Sequence, residues 1–177
     1  MFNISFRRSK KTEKKLIQFG NFVPNNINKV SLYECFLYNQ NSEYFTGQNQ
    51  NFCNICKKTF DSIYTSKIYV SPNVLVLILN RGKGNIYNVK LDFTEKIDIT
   101  PFVSQREMIQ ITYDLYGVIT HIGQSGPNAH FMAACKSPVD KKWYRYNDAI
   151  VSPITNIQKD VIDFGTPYIL FYQKNNN

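Results

Sequence analysis

The best-defined helical pattern in the chain begins at Ser31. Apolar side chains follow at Leu32, Cys35 and Phe36, a spacing that places all three on one face of a helix. Ser31 can accept a hydrogen bond from the first turn, and Glu34, three residues on, completes the pattern of a capping box. The pattern therefore predicts a short helix with a defined start.

Most of the other apolar positions are typical of strands. Residues 89–93 alternate apolar and polar positions with a period of two. Residues 74–79 are apolar without interruption, which predicts a fully buried strand. The predicted strands cover residues 63–70, 74–79, 89–93, 97–100, 111–122, 129–136, 142–147 and 167–173. With one or two short helices before them, they predict an α+β fold built mainly on an antiparallel sheet.

Composition supports one folded domain. The chain has 177 residues, of which 43% are hydrophobic and 15% aromatic, enough for a core. Residues 1–30 differ, because they are first basic, then rich in asparagine, and show no sustained period. We expect them to form a poorly ordered lead-in to a domain over residues 31–174.

The net charge of +8 raises the question of a nucleic-acid partner. Much of the excess lies in residues 7–15, a run that is typical of a solvated tail. A nucleic-acid patch is the alternative interpretation of the same run. The charge alone does not favour it.

The apolar runs, the N-terminus and the cysteines predict the cellular compartment and whether the chain contacts a membrane. Its apolar run at residues 74–79 is far shorter than the roughly 18 residues that a membrane span needs. The N-terminus lacks the apolar segment of a signal peptide. Four cysteines, two of them in a C-x-x-C, are more typical of metal binding inside the cell than of disulfides. We expect a cytoplasmic or nuclear protein without membrane contact.

His121 and His130 are the two histidines of the chain. A histidine in a β protein is usually a packed or surface residue, and this is the simplest interpretation of either. His130 stands out because it follows a glycine-bearing loop and opens a predicted strand. Enzymes often place a catalytic side chain at such a position.

A hairpin brings His130 close to a possible partner. If His130 stands directly opposite Asn147, the turn is centred between Pro138 and Val139, in a segment with turn composition. Opposed side chains on paired strands are close enough for an asparagine oxygen to reach an imidazole N–H. Asn147 is therefore the predicted orienting residue. Asp148, which falls on the other face, is the alternative candidate for that role. A plain hydrogen bond at the hairpin end is the alternative role for Asn147.

The cysteines divide into a pair and two single residues. Cys53 and Cys56 form half a zinc site, since a closed structural site needs four ligands. Cys35 lies on the predicted helix, and Cys135 is predicted to face away from His130. Both are best interpreted as small core residues rather than nucleophiles.

Several segments together resemble the ubiquitin-specific proteases, from about Leu32 to Gln173. They correspond in turn to the family's histidine box, to the segment of its third triad residue, to its closing strand, to its second zinc-ribbon C-x-x-C and to a palm strand. They read GVITHIG at 117–123 with GPNAHFMAAC at 126–135, KWYRYNDAIV at 142–151, TPYILFY at 166–172, EYFTGQNQNFCNIC at 43–56 and PNVLVLILNR at 72–81.

The resemblance implies a papain-like cysteine protease fold, of which this chain carries part of the fingers and the palm. It implies that His130 is the general base, that Asn147 orients it and that Asp148 supports it. It also implies a loop beside the channel for the ubiquitin tail. The substrate-binding candidates there are His121, Gly123, Gly126 and Ala129. Zinc at Cys53 and Cys56 is the implied cofactor, as a half site only.

The chain departs from the family in ways that matter for activity. The cysteine box that carries the nucleophile is absent, and so is the first C-x-x-C of the zinc ribbon. Ala129 stands where the family usually has glycine, and Phe131 where it usually has tyrosine. We therefore expect a fragment of a thiol-dependent deubiquitinase that is inactive alone, with ubiquitin as partner and another polypeptide supplying the missing thumb half.

Two other functions are compatible with the sequence. The first is a catalytically inactive ubiquitin-binding or scaffold protein that keeps the palm. The second is a basic zinc-ribbon protein that acts on nucleic acid, motivated by the charge and by Cys53 and Cys56. Neither of those two features explains the segment around His130 and Asn147, so the sequence argues against a nucleic-acid partner.

Overall fold

The computed structural model describes residues 2–5, 29–80, 89–104, 109–123 and 130–175. Within these ranges α-helix α1 spans Leu32–Asn39, short 3-10 helices span Gly47–Asn49 and Thr100–Phe102, and a π-helix spans Gln158–Ile162. The strands are β1 (Phe2–Ser5), β2 (Lys29–Ser31), β3 (Glu43–Phe45), β4 (Asn51–Cys53), β5 (Lys58–Phe60), β6 (Ser62–Tyr64), β7 (Val74–Asn80), β8 (Lys90–Asp92), β9 (Lys96–Asp98), β10 (Thr112–Ile122), β11 (His130–Lys136), β12 (Trp143–Asn147), β13 (Ile150–Ile154) and β14 (Thr166–Lys174).

An eight-stranded sheet, here called the main sheet, dominates the described ranges. Its strand order is β1-β7-β14-β10-β11-β12-β13, and β9 pairs with β10 beside this path. Strand β1 runs parallel to β7, whereas the other neighbours are antiparallel. The predicted α+β fold with a mostly antiparallel sheet is confirmed.

One face of the main sheet carries the core. Leu75, Leu77 and Leu79 are fully buried, and Leu77 pairs with Leu170 on the neighbouring strand. The intervening residues of β7 point to the other face and are more accessible, and Val74 is 42% exposed. The prediction of a fully buried run at residues 74–79 is therefore wrong for one face of this strand.

Helix α1 begins as the sequence predicts. The Ser31 backbone N–H donates to a Glu34 carboxylate oxygen at 2.8 Å, and the Glu34 backbone N–H donates to Ser31 Oγ at 3.1 Å. This reciprocal pair satisfies two backbone donors that the first turn leaves open. The predicted apolar face is buried, and Phe36 stacks on Phe102 with ring centroids 5.0 Å apart.

Two small ladders form what we call the hairpin region, residues 43–64. Strand β3 pairs with β6, and β4 pairs with β5, each over three residue pairs. Side-chain hydrogen bonds join the two ladders, including Asn51 Nδ2 to Ser62 Oγ at 2.7 Å. Large apolar side chains are exposed along them: Tyr44, Phe52, Ile55, Phe60, Ile63 and Tyr64. Isolated two-stranded ladders are only marginally stable in water.

Some sequence expectations need correction. Residues 2–5 of the predicted lead-in form β1, whose neighbours lie more than 70 positions away along the chain. Residues 6–28 lie outside the described ranges, and the poorly ordered lead-in over residues 1–30 stays a prediction. The predicted strand at residues 63–70 ends at Tyr64 and continues only as an isolated bridge between Ile68 and Val103. Residues 81–85, whose glycine- and asparagine-bearing composition predicts a turn, also lie outside the described ranges. Within those ranges, no helix is long and apolar enough to cross a membrane.

Candidate functional site

The hairpin between β11 and β12 has a different register from the predicted one. Ala133 pairs with Tyr146 and Lys136 with Trp143, so extending this register would place Asn147 opposite Met132 rather than His130. The predicted register is wrong by two residues.

The turn explains the shift. Ser137 N–H donates to the Lys142 carbonyl at 2.8 Å, which centres the turn between Val139 and Asp140. Ser137 Oγ accepts from the backbone N–H groups of both central residues. Lys141 closes the turn in the left-handed region, with φ at 60°. Local side-chain hydrogen bonds therefore set the turn one position later than composition suggested.

The predicted contact between His130 and Asn147 is nevertheless present. His130 Nε2 and Asn147 Oδ1 lie 2.6 Å apart. A shift of two residues leaves both side chains on the same face, because side chains alternate with a period of two. Residues diagonal to each other across a ladder remain within side-chain reach.

The contact fixes which nitrogen of His130 can act as a base. Asn147 Oδ1 carries no hydrogen, so Nε2 must donate the proton in this hydrogen bond. The neutral ring then has its lone pair on Nδ1, which can accept a proton. His130 is part-buried at the first position of β11. The contact thus orients the ring, and in the neutral tautomer it leaves Nδ1 as the acceptor nitrogen.

Buried apolar side chains and the contacts of Arg145 stabilise the end of the hairpin that carries His130 and Asn147. Met132, Ala134 and Trp143 are buried on the same face as His130. Arg145 Nη2 donates to the Asp160 carbonyl at 2.8 Å, and its guanidinium carbon lies 4.3 Å from the ring centroid of Phe164.

Sequence reasoning missed the role of Arg145, because its contacts come from a segment far along the chain. Alternation along β12 places Arg145 on the face of Asn147, which was the only available signal. It links β12 to the π-helix segment that follows β13.

Asp148 occupies a tight turn rather than the site. Asn147 pairs with Ile150, so Asp148 and Ala149 form a two-residue connection between β12 and β13. Asp148 has φ at 49° and is exposed. Among the described residues no hydrogen bond or ion pair joins Asp148 to His130, so its supporting role stays a prediction.

His121 lies on the opposite face of the main sheet from His130. It pairs with Phe131 on β11, whereas His130 pairs with Ile122. The His121 ring is 2% exposed and meets Phe131 edge to face at 5.0 Å. Burial disfavours the charged ring and lowers the pKa of His121. The predicted role of His121 in substrate binding stays a prediction.

Gly123 and Gly165 lie at or against the end of β10 and both have positive φ angles. Gly123 ends β10 with φ at 91°, a conformation that favours glycine. Gly126 and Ala129 lie outside the described residues. Gly165, which the sequence analysis did not single out, has φ at 60° and packs against β10. A Cβ at Gly165 would lie 2.6 Å from Thr120 Cγ2 and 3.2 Å from the His121 carbonyl oxygen.

Cys53 and Cys56 occupy the turn between β4 and β5, away from the main sheet. The Cys56 backbone N–H donates to Cys53 Sγ at 3.4 Å. Hydrogen bonds from the backbone of Cys56 and Ile55 lower the pKa of Cys53. Among the described residues no group of three or more histidine, cysteine or carboxylate side chains could hold a metal. The residues present do not fit a closed four-ligand zinc site.

The other two cysteines are predicted to be small core residues, and that neither is a nucleophile stays a prediction. Cys35 is buried in α1. Cys135 is half-buried on the face of the main sheet away from His130, and burial raises the pKa of its thiol.

The chain is similar in sequence to known proteins over almost its whole length. The sequence model of the family described as ubiquitin carboxyl-terminal hydrolase matches residues 10–172. Ubiquitin carboxyl-terminal hydrolase 17-like protein B of Mus musculus is 27% identical over 161 residues, which are 88% of this chain and 33% of that protein. The 17-like protein E of Mus musculus is 28% identical over 136 residues, which are 74% of this chain and 24% of that protein.

Solved structures show the same relationship. The SAGA Ubp8/Sgf11/Sus1/Sgf73 DUB module bound to ubiquitin aldehyde aligns with a TM-score of 0.66 at 26% identity, over 84% of this chain and 35% of that chain. The yeast SAGA DUB module with a mutant form of Sgf73 aligns with a TM-score of 0.67 at 27% identity, over the same shares. This chain therefore spans only about a quarter to a third of the length of these relatives. The predicted papain-like fold of a ubiquitin-specific protease is confirmed, and the chain belongs to the ubiquitin carboxyl-terminal hydrolase family.

Proposed function

We propose that this chain supplies the general-base half of a thiol-dependent deubiquitinase site. The reaction is hydrolysis of the isopeptide or peptide bond after the C-terminal glycine of ubiquitin. The observation that carries the proposal is the 2.6 Å contact between His130 Nε2 and Asn147 Oδ1. It leaves Nδ1 as the nitrogen that accepts a proton, which is what a base beside a thiol must offer.

The proposed reaction has two stages. His130 Nδ1 takes the proton of a cysteine thiol, and the thiolate attacks the carbonyl carbon of the scissile bond. The tetrahedral intermediate collapses to a thioester, and His130 gives its proton to the leaving amine. In the second stage His130 activates a water that hydrolyses the thioester and frees the thiol. Asn147 keeps the ring oriented throughout without adding a charge.

The thiol itself must come from outside this chain. Cys135 lies five residues from His130 on the same strand, roughly 17 Å away at the rise of an extended strand, and on the other face. Cys35 is buried in α1, and Cys53 and Cys56 lie in the hairpin region. We propose that another polypeptide segment, carrying the family's thumb half, provides the nucleophile.

Ubiquitin is the proposed partner. Two of the similar solved structures are DUB modules bound to ubiquitin aldehyde and to monoubiquitin. The proposed place for the ubiquitin tail is beside Gly123 and the loop that continues through Gly126 and Ala129. We propose a cytoplasmic or nuclear location, where ubiquitin conjugates are found.

A catalytically inactive ubiquitin-binding protein is the second candidate. The specific observation in its favour is that Cys135, the cysteine that shares a strand with His130, faces the other side of the main sheet. Under this alternative the main sheet and hairpin region bind ubiquitin without turnover.

Hydrolysis of ubiquitin linked to a fluorophore separates the candidates. The chain alone is expected to show none, because it lacks the nucleophile. Mixed with a polypeptide that carries the family's cysteine box, it is expected to turn over, and His130→Ala is expected to lower the rate by about 10²–10⁴-fold. Val139→Ala, at an exposed position in the turn of the same hairpin, serves as a matched control.

Two results would argue against the proposal. Turnover by the chain alone that survives His130→Ala would show a different nucleophile and base. Saturable ubiquitin binding with no turnover in the mixture would favour the inactive binding protein.

A further inference from the structure

The backbone ladder between β11 and β12 stops short of the contact between His130 and Asn147. Its last residue pair in the described ranges is Ala133 with Tyr146. His130 is held by pairing with β10 on one side, and Asn147 is held by pairing with β13 on the other. The 2.6 Å contact between the two side chains therefore lies beyond the ladder of their own strands.

Arg145 joins β12 to a segment outside the hairpin, on the face that carries Asn147. It lies two positions before Asn147, and side chains two positions apart on a strand share a face. Its Nη2 donates to the Asp160 carbonyl oxygen at 2.8 Å and lies 3.9 Å from Asp160 Oδ1. Its guanidinium carbon lies 4.3 Å from the ring centroid of Phe164. A planar guanidinium with an acceptor at its edge and a ring against its face is fixed in position and orientation.

The same segment also lies against the end of β10, the strand that pairs with β11. A Cβ at Gly165 would lie 2.6 Å from Thr120 Cγ2 and 3.2 Å from the His121 carbonyl oxygen, so the backbone at this glycine directly contacts β10. The next residue, Thr166, pairs with His121. Residues 158–165, here called the clamp segment, therefore connect β12 with β10.

We propose that Arg145 is a positioning residue for the general base, because it fixes β12 to the clamp segment and so sets where Asn147 Oδ1 meets His130 Nε2. Among the described residues no hydrogen bond or ion pair joins Arg145 to the imidazole, so Arg145 acts through Asn147. A hydrogen bond weakens when its donor and acceptor move apart or out of line, which is what a shift of β12 against β10 would cause. The benefit to catalysis rests on the proposed function, whereas the effect on the ring is a property of this chain alone.

Nitrogen-15 NMR of the whole chain tests the role of Arg145. Arg145→Met is expected to lower the ratio of Nε2–H to Nδ1–H tautomers of His130 by about 2–10-fold, the equivalent of up to one hydrogen bond. Adding Arg145→Met to Asn147→Ala is expected to lower the ratio no further than Asn147→Ala alone, because the first residue acts through the second. Arg145→Lys keeps a donor without the planar group and is expected to restore part of the ratio.

Three further variants separate positioning from stability. Ile99→Val removes one buried methyl group at the opposite end of β10, where Ile99 N–H donates to the Ile111 carbonyl, and should lower stability without changing the ratio. Lys142→Met removes an exposed cation next to β12 and should also leave the ratio unchanged. Phe164→Leu removes the ring face beside the guanidinium and should lower the ratio less than Arg145→Met does. It tests the same link if Arg145→Met does not fold.

Two results would overturn the proposal. The first is a tautomer ratio that neither Arg145→Met nor Phe164→Leu changes. The second is an equal fall of the ratio in Ile99→Val, which would show that any loss of stability moves the ring. Turnover in the mixture with a cysteine-box polypeptide tests the proposed function separately, because the tautomer ratio is measured on this chain alone.

Discussion

The main sheet and the hairpin region are built in different ways, although both consist mostly of antiparallel strands. In the main sheet, β7, β14 and β10 are each paired on both sides, and one face is sealed by aliphatic side chains. In the hairpin region each strand has one partner, and large apolar side chains stand in solvent. Leu77 is fully buried, whereas Phe52 is 57% exposed.

The two candidate sites are therefore held in place by different kinds of contact. The His130–Asn147 contact depends on strands β10, β11, β12 and β13 and on the buried side chains beneath them, so it should be sensitive to the global fold. The Cys53–Cys56 turn depends on hydrogen bonds within residues 53–58. It should change with little consequence for the rest of the molecule.

The largest expected contrast comes from removing one apolar side chain in each region. Leu77→Ala should lower the free energy of unfolding by about 2–5 kcal/mol, because it leaves a cavity in the core face. Phe52→Ala should change it by no more than about 0.5 kcal/mol, because the side chain is mostly in solvent. Urea titration followed by circular dichroism measures both. Equal losses would contradict the division into two regions.

Two glycines with the same backbone angle give the next contrast. Gly165 and Gly47 both have φ at 60°, but a Cβ at Gly47 would meet no atom within 4 Å. Gly47→Ala should cost about 1–2 kcal/mol, from the left-handed conformation alone. Gly165→Ala should cost more, because its Cβ would also clash with Thr120 Cγ2. Thermal unfolding of the two variants tests this, and a larger loss at Gly47 would refute the close packing of Gly165 on β10.

Arg145 and Lys142 provide a smaller contrast between two cations on or next to β12. Arg145→Met removes the donor to the Asp160 carbonyl and should cost about 1–3 kcal/mol. Lys142→Met should stay within about 0.5 kcal/mol, because its side chain is exposed. Hydrogen exchange at residues 156–164 should speed up in the first variant only. Unchanged exchange there would show that Arg145 does not hold the π-helix segment.

The smallest expected effect is the pH dependence from His121. Burial lowers its pKa in the folded chain below the ordinary value of about 6.5. The stabilising contribution of the neutral ring is therefore complete above about pH 6.5, and it is lost as the pH falls from there towards the lower pKa of the folded state. Replacing His121 by Gln should flatten the loss of stability below pH 6.5. Parallel curves for the two proteins over pH 5–8 would rule out this contribution.

The sequence supported those features that depend on local chemistry or on periodicity. Ser31 and Glu34 lie three residues apart, so the helix start could be predicted from the residues alone. The contact of His130 with Asn147 could be predicted although its register could not, because alternation fixes the face while turn hydrogen bonds fix the offset. The side chains of Ser137 and Asp140 accept those bonds. The composition of the turn does not show that they place its centre one position beyond Pro138 and Val139.

Features that depend on residues distant along the chain could not be predicted from the sequence. Strand β1 exists through parallel pairing with β7, which no local pattern announces. The half-exposure of β7 depends on what covers each face of the main sheet, and an unbroken apolar run carries no such information. The contacts of Arg145 with Asp160 and Phe164 likewise join segments that are separate along the chain.

The central claim is that Asn147 holds His130 with the proton on Nε2 and the lone pair on Nδ1. Nitrogen-15 NMR of the two imidazole rings, assigned with the His121→Gln variant and recorded where both rings are neutral, measures the tautomer directly. The account predicts that the Nε2–H tautomer of His130 dominates, that its population falls in Asn147→Ala, and that it is unchanged in Val139→Ala, at an exposed position of the same hairpin. A proton on Nδ1, or a tautomer that Asn147→Ala leaves unchanged, would contradict it.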